Sequence, residues 1–266
     1  MLSKKSLQSR DMAMTDPARE LYLQLLKRCL TRLLFPDLTH DWNLATTRPV
    51  DPAVREIGGD WPSEAVTMVG LRRLDNLQTC VIKVLEGRIP GELVETGTWR
   101  GGCAILMRAV LKAFGDDART VWVADSFQGL PKPSEEYPPD EGDPHWTLNS
   151  YLGVSLDQVK QNFRQFELLD DKVRFLPGWF RDTLPAAPID RIALLRLDGD
   201  MYESTYVALS ALYPKVSPGG FVIVDDFGAL PNCRKAVEDY RAEHHITDEL
   251  TTIDWTGVYW TRSDPR

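Results

Sequence analysis

Cysteine and histidine are scarce in this chain, and basic charge is in deficit. The 266 residues include four cysteines and four histidines, and the formal net charge is -8. Cys29, Cys80, Cys103 and Cys233 lie far apart and form no CxxC pair, which argues against a zinc knuckle. They read as small buried hydrophobes of a reducing compartment. A basic footprint is missing, so phosphate-backbone binding is not expected and no nucleic-acid partner is assigned. No apolar run approaches the roughly 18 residues of a membrane span. Lys4, Lys5 and Arg10 are followed by acids rather than by an apolar stretch, so no secretory signal is read and the cytosol is expected. HxxxH, GxSxG and P-loop lysine motifs are absent, as is the GxGxxG of dinucleotide folds.

What is present has an ordinary globular balance, with 43% hydrophobic and 26% charged residues. Leu21, Leu25, Leu26, Leu30, Leu33 and Leu34 recur at helical spacing and predict a helix over 18–34. Residues 35–62 carry scattered Pro and Gly and predict a long irregular segment. A second helix is predicted over 64–85. Strands then alternate with helices. The strands fall at 92–96, 120–124, 172–176, 191–197 and 220–224, and two late β-like runs at 249–253 and 257–262. That alternation predicts an α/β fold with a parallel sheet covered on both faces. The organisation expected is a flexible stretch over 1–17, N-terminal helices and a lid or oligomerisation segment over 18–88, and one catalytic domain over 89–266.

The chemistry-bearing features fall at the C-terminal ends of predicted strands, where open α/β sheets bind ligands. Glu95-Thr96-Gly97-Thr98-Trp99-Arg100-Gly101-Gly102 leads a strand into a helix. Its GxxxGG spacing, with Trp99 and Arg100 inside the turn, suits a small adenosyl ligand better than a pyrophosphate. Asp125 ends the next strand and is a candidate acceptor for ribose hydroxyls. Asp198 closes one apolar strand, and Asp225 and Asp226 close its predicted neighbour. Three carboxylates at adjacent strand tips repel one another unless a hard cation such as Mg²⁺ offsets them. A cation there would orient two neighbouring hydroxyls of a substrate, and Asp198 is placed to accept a proton. His145 lies in the proline-rich loop 126–150 and is a candidate auxiliary base or substrate contact.

The runs Leu93 to Gly102, Val121 to Gly129, Phe175 to Phe180, Leu195 to Asp200 and Ser217 to Asp226 resemble the macrocin-type O-methyltransferases. So do Leu21 to Arg28 and Thr67 to Leu71, and the likeness spans about 18–262. The resemblance implies a class I S-adenosylmethionine-dependent methyltransferase: a Rossmann-like, mostly parallel seven-stranded sheet with an N-terminal helical extension. It implies Mg²⁺-dependent methylation of a deoxysugar hydroxyl on a macrolide or another glycosylated natural product. By position it assigns Met68, Glu95, Thr96, Gly97, Thr98, Trp99, Gly101 and Asp125 to the cofactor site, with Ser126, Phe127, Gln128, Gly178, Trp179 and Asp198. It assigns Asp198, Asp225 and Asp226 to the metal, and Asp198 with His145 to catalysis. A homodimer or homotetramer is implied, with no membrane partner. Loops 35–62 and 131–154 match least and would choose the acceptor. Three rival readings remain at this point: a catechol-type methyltransferase on a phenolic diol, a nicotinamide-dependent oxidoreductase, and a non-catalytic binding protein.

Overall fold

The computed structural model describes residues 16–263. The stretch expected to be flexible, 1–17, lies almost wholly outside the described residues. The N-terminal region runs α1 (Pro17–Leu30), β1 (Leu38–His40), β2 (Thr47–Pro49), α2 (Pro52–Glu56), β3 (Trp61–Pro62) and α3 (Leu71–Glu86). The α/β part runs β4 (Glu92–Thr96), α4 (Gly102–Ala113), β5 (Val121–Asp125), α5 (Asn149–Leu152), α6 (Leu156–Gln165), β6 (Val173–Pro177) and α7 (Phe180–Thr183). It continues through β7 (Ile192–Leu197), α8 (Tyr202–Leu212), β8 (Val216–Val224), α9 (Pro231–Glu243), β9 (Thr251–Thr252) and β10 (Val258–Thr261).

Seven strands form one sheet in the order β6-β5-β4-β7-β8-β10-β9. The first five pair in parallel, and β10 runs antiparallel to both β8 and β9. This is the mostly parallel seven-stranded sheet expected. Every residue of β7 is buried, as a continuous apolar run predicts for a central strand. One apolar layer packs α1, α3, α4 and α6 on one face, and a second packs α8 and α9 on the other. The chain winds outward from β4 in one direction and from β7 in the other. Their carboxyl ends therefore flank the switch point where open sheets carry a ligand crevice. Among the described residues, no helix is long and apolar enough to cross a membrane.

Three boundaries differ from the sequence reading. The first helix stops at Leu30, because Thr31 caps it and Arg32 turns to φ +55°. The second starts at Leu71 rather than Glu64. Gly70 packs backbone to backbone on residues 56–58, where any Cβ would sit 2.4 Å from the Ile57 carbonyl carbon, and is itself extended at ψ 166°. The irregular segment 35–62 holds a small antiparallel sheet, β2-β1-β3. Buried Arg55 knits this sheet to α1 by donating to Asp60, Asp37 and the Thr31 carbonyl.

Candidate active site

The turn after β4 is shaped by close approach. Gly97 has φ +82°, and a Cβ on it would lie 1.6 Å from the Asp198 carbonyl oxygen. The tips of β4 and β7 thus meet backbone to backbone, which only glycine permits. Asp125 stabilises the turn from β5: Oδ2 accepts from the Thr98 amide at 2.7 Å and Oδ1 from the Phe127 amide at 2.7 Å. Each oxygen keeps acceptor capacity for a ligand.

Under the turn lies a buried network of charges. Glu95 Oε2 accepts from Thr98 Oγ1 at 2.8 Å, and Glu95 Oε1 accepts from Arg196 Nη1 at 2.9 Å. Arg196 Nη1 also donates to Asp198 Oδ2 at 2.8 Å, and Nη2 donates to Asp225 Oδ1 at 2.5 Å. The other Asp225 oxygen accepts from Arg73 Nη1, and Arg73 Nε reaches Asp254 Oδ2 at 3.0 Å. Although burial raises it, Asp225 is held below its ordinary pKa by the Arg73 and Arg196 guanidinium groups.

The expected metal carboxylates are engaged unequally. Asp225, expected beside Asp198 and Asp226, lines the same cavity, and each of its oxygens accepts from an arginine. The carboxylates that converge are Asp198, Asp200 and Asp226, with one oxygen from each lying within 4.8 Å of the others. Burial, then the charge of Asp198 and Asp225, pushes Asp200 up to about 8. Burial and the neighbouring Asp200 and Asp198 carboxylates raise Asp226 too. Asp226 Oδ2 is buried with no hydrogen-bond partner among the described residues. A crowded, all-oxygen donor set with an orphaned acceptor fits a hard divalent cation.

Burial pushes Glu95 up to about 7, against the pull of Arg196 and Thr98. The folded state therefore holds this proton more tightly than the unfolded chain. The stabilisation it gives is complete below the ordinary glutamate pKa of about 4.3 and is lost as pH rises through about 7. Thermal melts between pH 5 and 8 are expected to show a falling Tm. The fall should be shallower in Glu95→Gln, and an identical slope in both chains would contradict this.

One cavity of about 280 Å³ joins these features, and its wall includes Met68, Glu95, Gly97, Thr98 and Trp99. Asp125, Ser126 and Trp179 continue that wall, and Asp198, Asp200, Asp225 and Asp226 close it. Other residues expected at the cofactor support the wall rather than face the cavity. Thr96 is buried in β4, and Gly101 caps α4 at φ +91°. Phe127 packs on Phe175, Gln128 is exposed, and the Gly178 amide donates to the Asp125 carbonyl. His145 also lines the cavity. Its Nδ1 lies 2.7 Å from Asp143 Oδ1, and Asp143 Oδ2 accepts from Asn232 at 3.1 Å. The Asp143 carboxylate thus fixes the orientation of the ring and turns Nε2 away from that contact.

The proline-rich loop is clasped rather than loose. Buried Asp140 accepts from the Tyr202 and Glu203 amides at 2.8 and 2.9 Å, capping α8 from 62 residues away. Tyr151 donates to the Pro62 carbonyl at 2.8 Å and packs among His40, Trp61 and Trp99. Sequence reasoning missed Asp200, Arg196, Arg73 and Asp140. A signal existed for two of them: Asp200 follows Asp198 at i+2, and Arg196 is a lone charge inside an apolar strand.

Comparison with known proteins follows the same lines. The family model described as macrocin O-methyltransferase matches residues 19–262. A tetracenomycin-C rhamnosyl 4'-O-methyltransferase of Streptomyces olivaceus is 54% identical over 248 residues, covering 93% of this chain and 94% of that protein. The mycinamicin III 3''-O-methyltransferase of Micromonospora griseorubida is 49% identical over 249 residues, covering 92% of this chain and 97% of that one. The solved structure of the O-methyltransferase NovP superposes with a TM-score of 0.88 at 51% identity, covering 92% of this chain and 100% of that one.

Proposed function

The chain belongs to the macrocin O-methyltransferase family, with the class I Rossmann-like fold of S-adenosylmethionine-dependent O-methyltransferases, and from that premise we propose that it methylates a deoxysugar hydroxyl on a glycosylated natural product in a Mg²⁺-dependent reaction. The observation that supports this most is the meeting of Asp198, Asp200 and Asp226 beside the Gly97 turn in one cavity. One of the curated relatives is named for methylating a rhamnosyl-bearing tetracenomycin, and another for methylating mycinamicin III.

S-adenosylmethionine supplies an already activated methyl group, so the protein's work is positioning and control of charge. In our reading the turn from Glu95 to Gly101 and the Asp125 carboxylate bind the cofactor. Asp198, Asp200 and Asp226 hold the cation, which when bound lowers the pKa of a substrate hydroxyl and orients it. Asp198 accepts the hydroxyl proton, and His145, fixed by Asp143, orients the acceptor or serves as auxiliary base. The clasped loop and Trp61 exclude water over the site.

A methyl-transfer screen with and without Mg²⁺ tests the function. Methylation of glycosylated acceptors that stops in excess EDTA is expected. Transfer to a catechol but to no glycosylated acceptor would overturn the substrate class, and full activity in EDTA would overturn the cation. The loop clasp has its own expected outcome. Asp140→Ala frees two amides of α8, and KM for the acceptor should rise about tenfold with a smaller change in kcat, the pattern of lost uniform binding. An unchanged KM would remove the clasp from acceptor binding. Self-association belongs to the same proposal: Leu21, Tyr22 and Leu25 leave an apolar stripe exposed on α1. Sedimentation as a monomer at all concentrations would refute it.

A further inference from the structure

Arg196 occupies an anomalous place. It is 2% exposed as the penultimate residue of β7, whose other residues are all apolar. Burying a guanidinium is unfavourable unless its donors are met by acceptors of opposite charge. Here they are met from two directions. In the β4–β7 ladder Arg196 sits opposite Glu95, and their side chains join at 2.9 Å. Glu95 in turn holds Thr98 of the glycine turn, whose amide binds Asp125. The same Nη1 that donates to Glu95 donates to Asp198 of the carboxylate cluster at 2.8 Å, and Nη2 donates to Asp225. Beyond Asp225 the chain of contacts continues through Arg73 to Asp254.

One planar group therefore fixes both the turn assigned to the cofactor and a carboxylate assigned to the cation. A guanidinium presents its donors in a rigid fork, so moving Glu95 shifts the geometry offered to Asp198. We propose that Arg196 is a positioning residue that couples the cofactor site to the cation site, so that filling one tightens the other. The proposal rests on the cofactor and cation assignments above. It goes beyond them in making the two affinities interdependent through a buried residue whose hydrogen bonds reach carboxylates of both sites. Such coupling is reciprocal: the factor by which cofactor tightens the cation equals the factor by which the cation tightens cofactor.

The test measures Mn²⁺ affinity by the electron paramagnetic resonance of the free ion, with and without S-adenosylhomocysteine. That ligand is an uncharged thioether at sulfur, so it lacks the sulfonium charge that would act on the cluster directly. In the wild-type chain, S-adenosylhomocysteine is expected to tighten Mn²⁺ by about fivefold or more. Calorimetric titration of S-adenosylhomocysteine with and without Mn²⁺ should return the same factor. Arg196→Lys keeps the charge and loses the fork, and the factor should fall to one even if both single affinities weaken. Should that chain not fold, Glu95→Gln, which loosens the cofactor-side contact, is expected to abolish the factor as well. A merely structural role would weaken both ligands and leave the factor intact, and that result overturns the proposal. A factor of one in the wild-type chain also overturns it. Failure of S-adenosylhomocysteine to bind the wild-type chain at all would instead strike the proposed function, and the coupling with it.

Discussion

Asp198→Asn is expected to lose turnover by about a thousandfold or more, in the range seen when a positioned proton acceptor is removed, while S-adenosylhomocysteine still binds within a few-fold of the parent. Asp198 is where three roles meet. It follows β7 at the switch point, accepts from Arg196, and contributes an oxygen to the cluster with Asp200 and Asp226. Asparagine keeps the shape but loses the negative charge, one cation-binding oxygen and the ability to take a proton. Cofactor binding survives in this account because the Glu95 to Gly101 turn and Asp125 keep their own contacts, and only the tightening transmitted through Arg196 is lost. Calorimetry for binding and a methyl-transfer assay for turnover read the two halves separately. Full activity of Asp198→Asn would end the cation mechanism.

The neighbouring acids divide by the same logic. Asp200→Asn and Asp226→Asn should weaken Mn²⁺ binding and leave the melting temperature unchanged or raised, because each removes a repelled carboxylate from the metal-free protein. Asp225→Asn should act in the opposite way. It leaves Arg73 and Arg196 short of a buried counter-charge, which is worth about 3–5 kcal/mol when one partner of a buried ion pair is lost. A stable Asp225→Asn chain that has lost Mn²⁺ binding would restore Asp225 to the metal set.

The contrast between Asp225 and Asp200 shows where sequence reading reaches. Spacing placed acids at the tips of β7 and β8, because apolar runs ending in Asp identify central strands and their carboxyl ends. Which way each carboxylate turns depends on partners far away in the chain. Arg73 comes from α3, 152 residues before Asp225, and no local pattern announces that it arrives. Asp200 was overlooked because it lies past the strand, in a turn where it adopts φ +58°. The sheet was legible for a related reason. Alternation and apolar runs are local signals, and the seven strands lie close to where those signals put them. The segment 35–62 was not legible, because its three short strands and α2 are held by Arg55 and its distant acceptors rather than by periodicity. The proline-rich loop was legible as the carrier of His145, but its attachment was not, since Asp140 caps a helix that begins 62 residues later.

Gly97→Ala is expected to damage the protein more broadly than any other single methyl group added to it. Two effects add. The residue has φ +82°, which an L side chain adopts at a strain of about 1–3 kcal/mol. The new Cβ would also lie 1.6 Å from the Asp198 carbonyl oxygen and 2.6 Å from its carbon, so the tips of β4 and β7 must separate. That seam carries the Glu95–Arg196–Asp198 contacts, so opening it disturbs the cofactor turn and the cation cluster together. Gly115→Ala is the control. It shares a positive φ, at +73°, but nothing lies within 4 Å of its added Cβ. Gly115→Ala should therefore show strain alone, a destabilisation of about 1 kcal/mol with normal turnover. Gly97→Ala should lose at least about 3 kcal/mol in urea unfolding. What remains folded should be slower by about a hundredfold or more, the effect of misplacing reacting groups by about an ångström. If Gly97→Ala matched Gly115→Ala in both readings, the close meeting of β4 and β7 would not be what holds this site together.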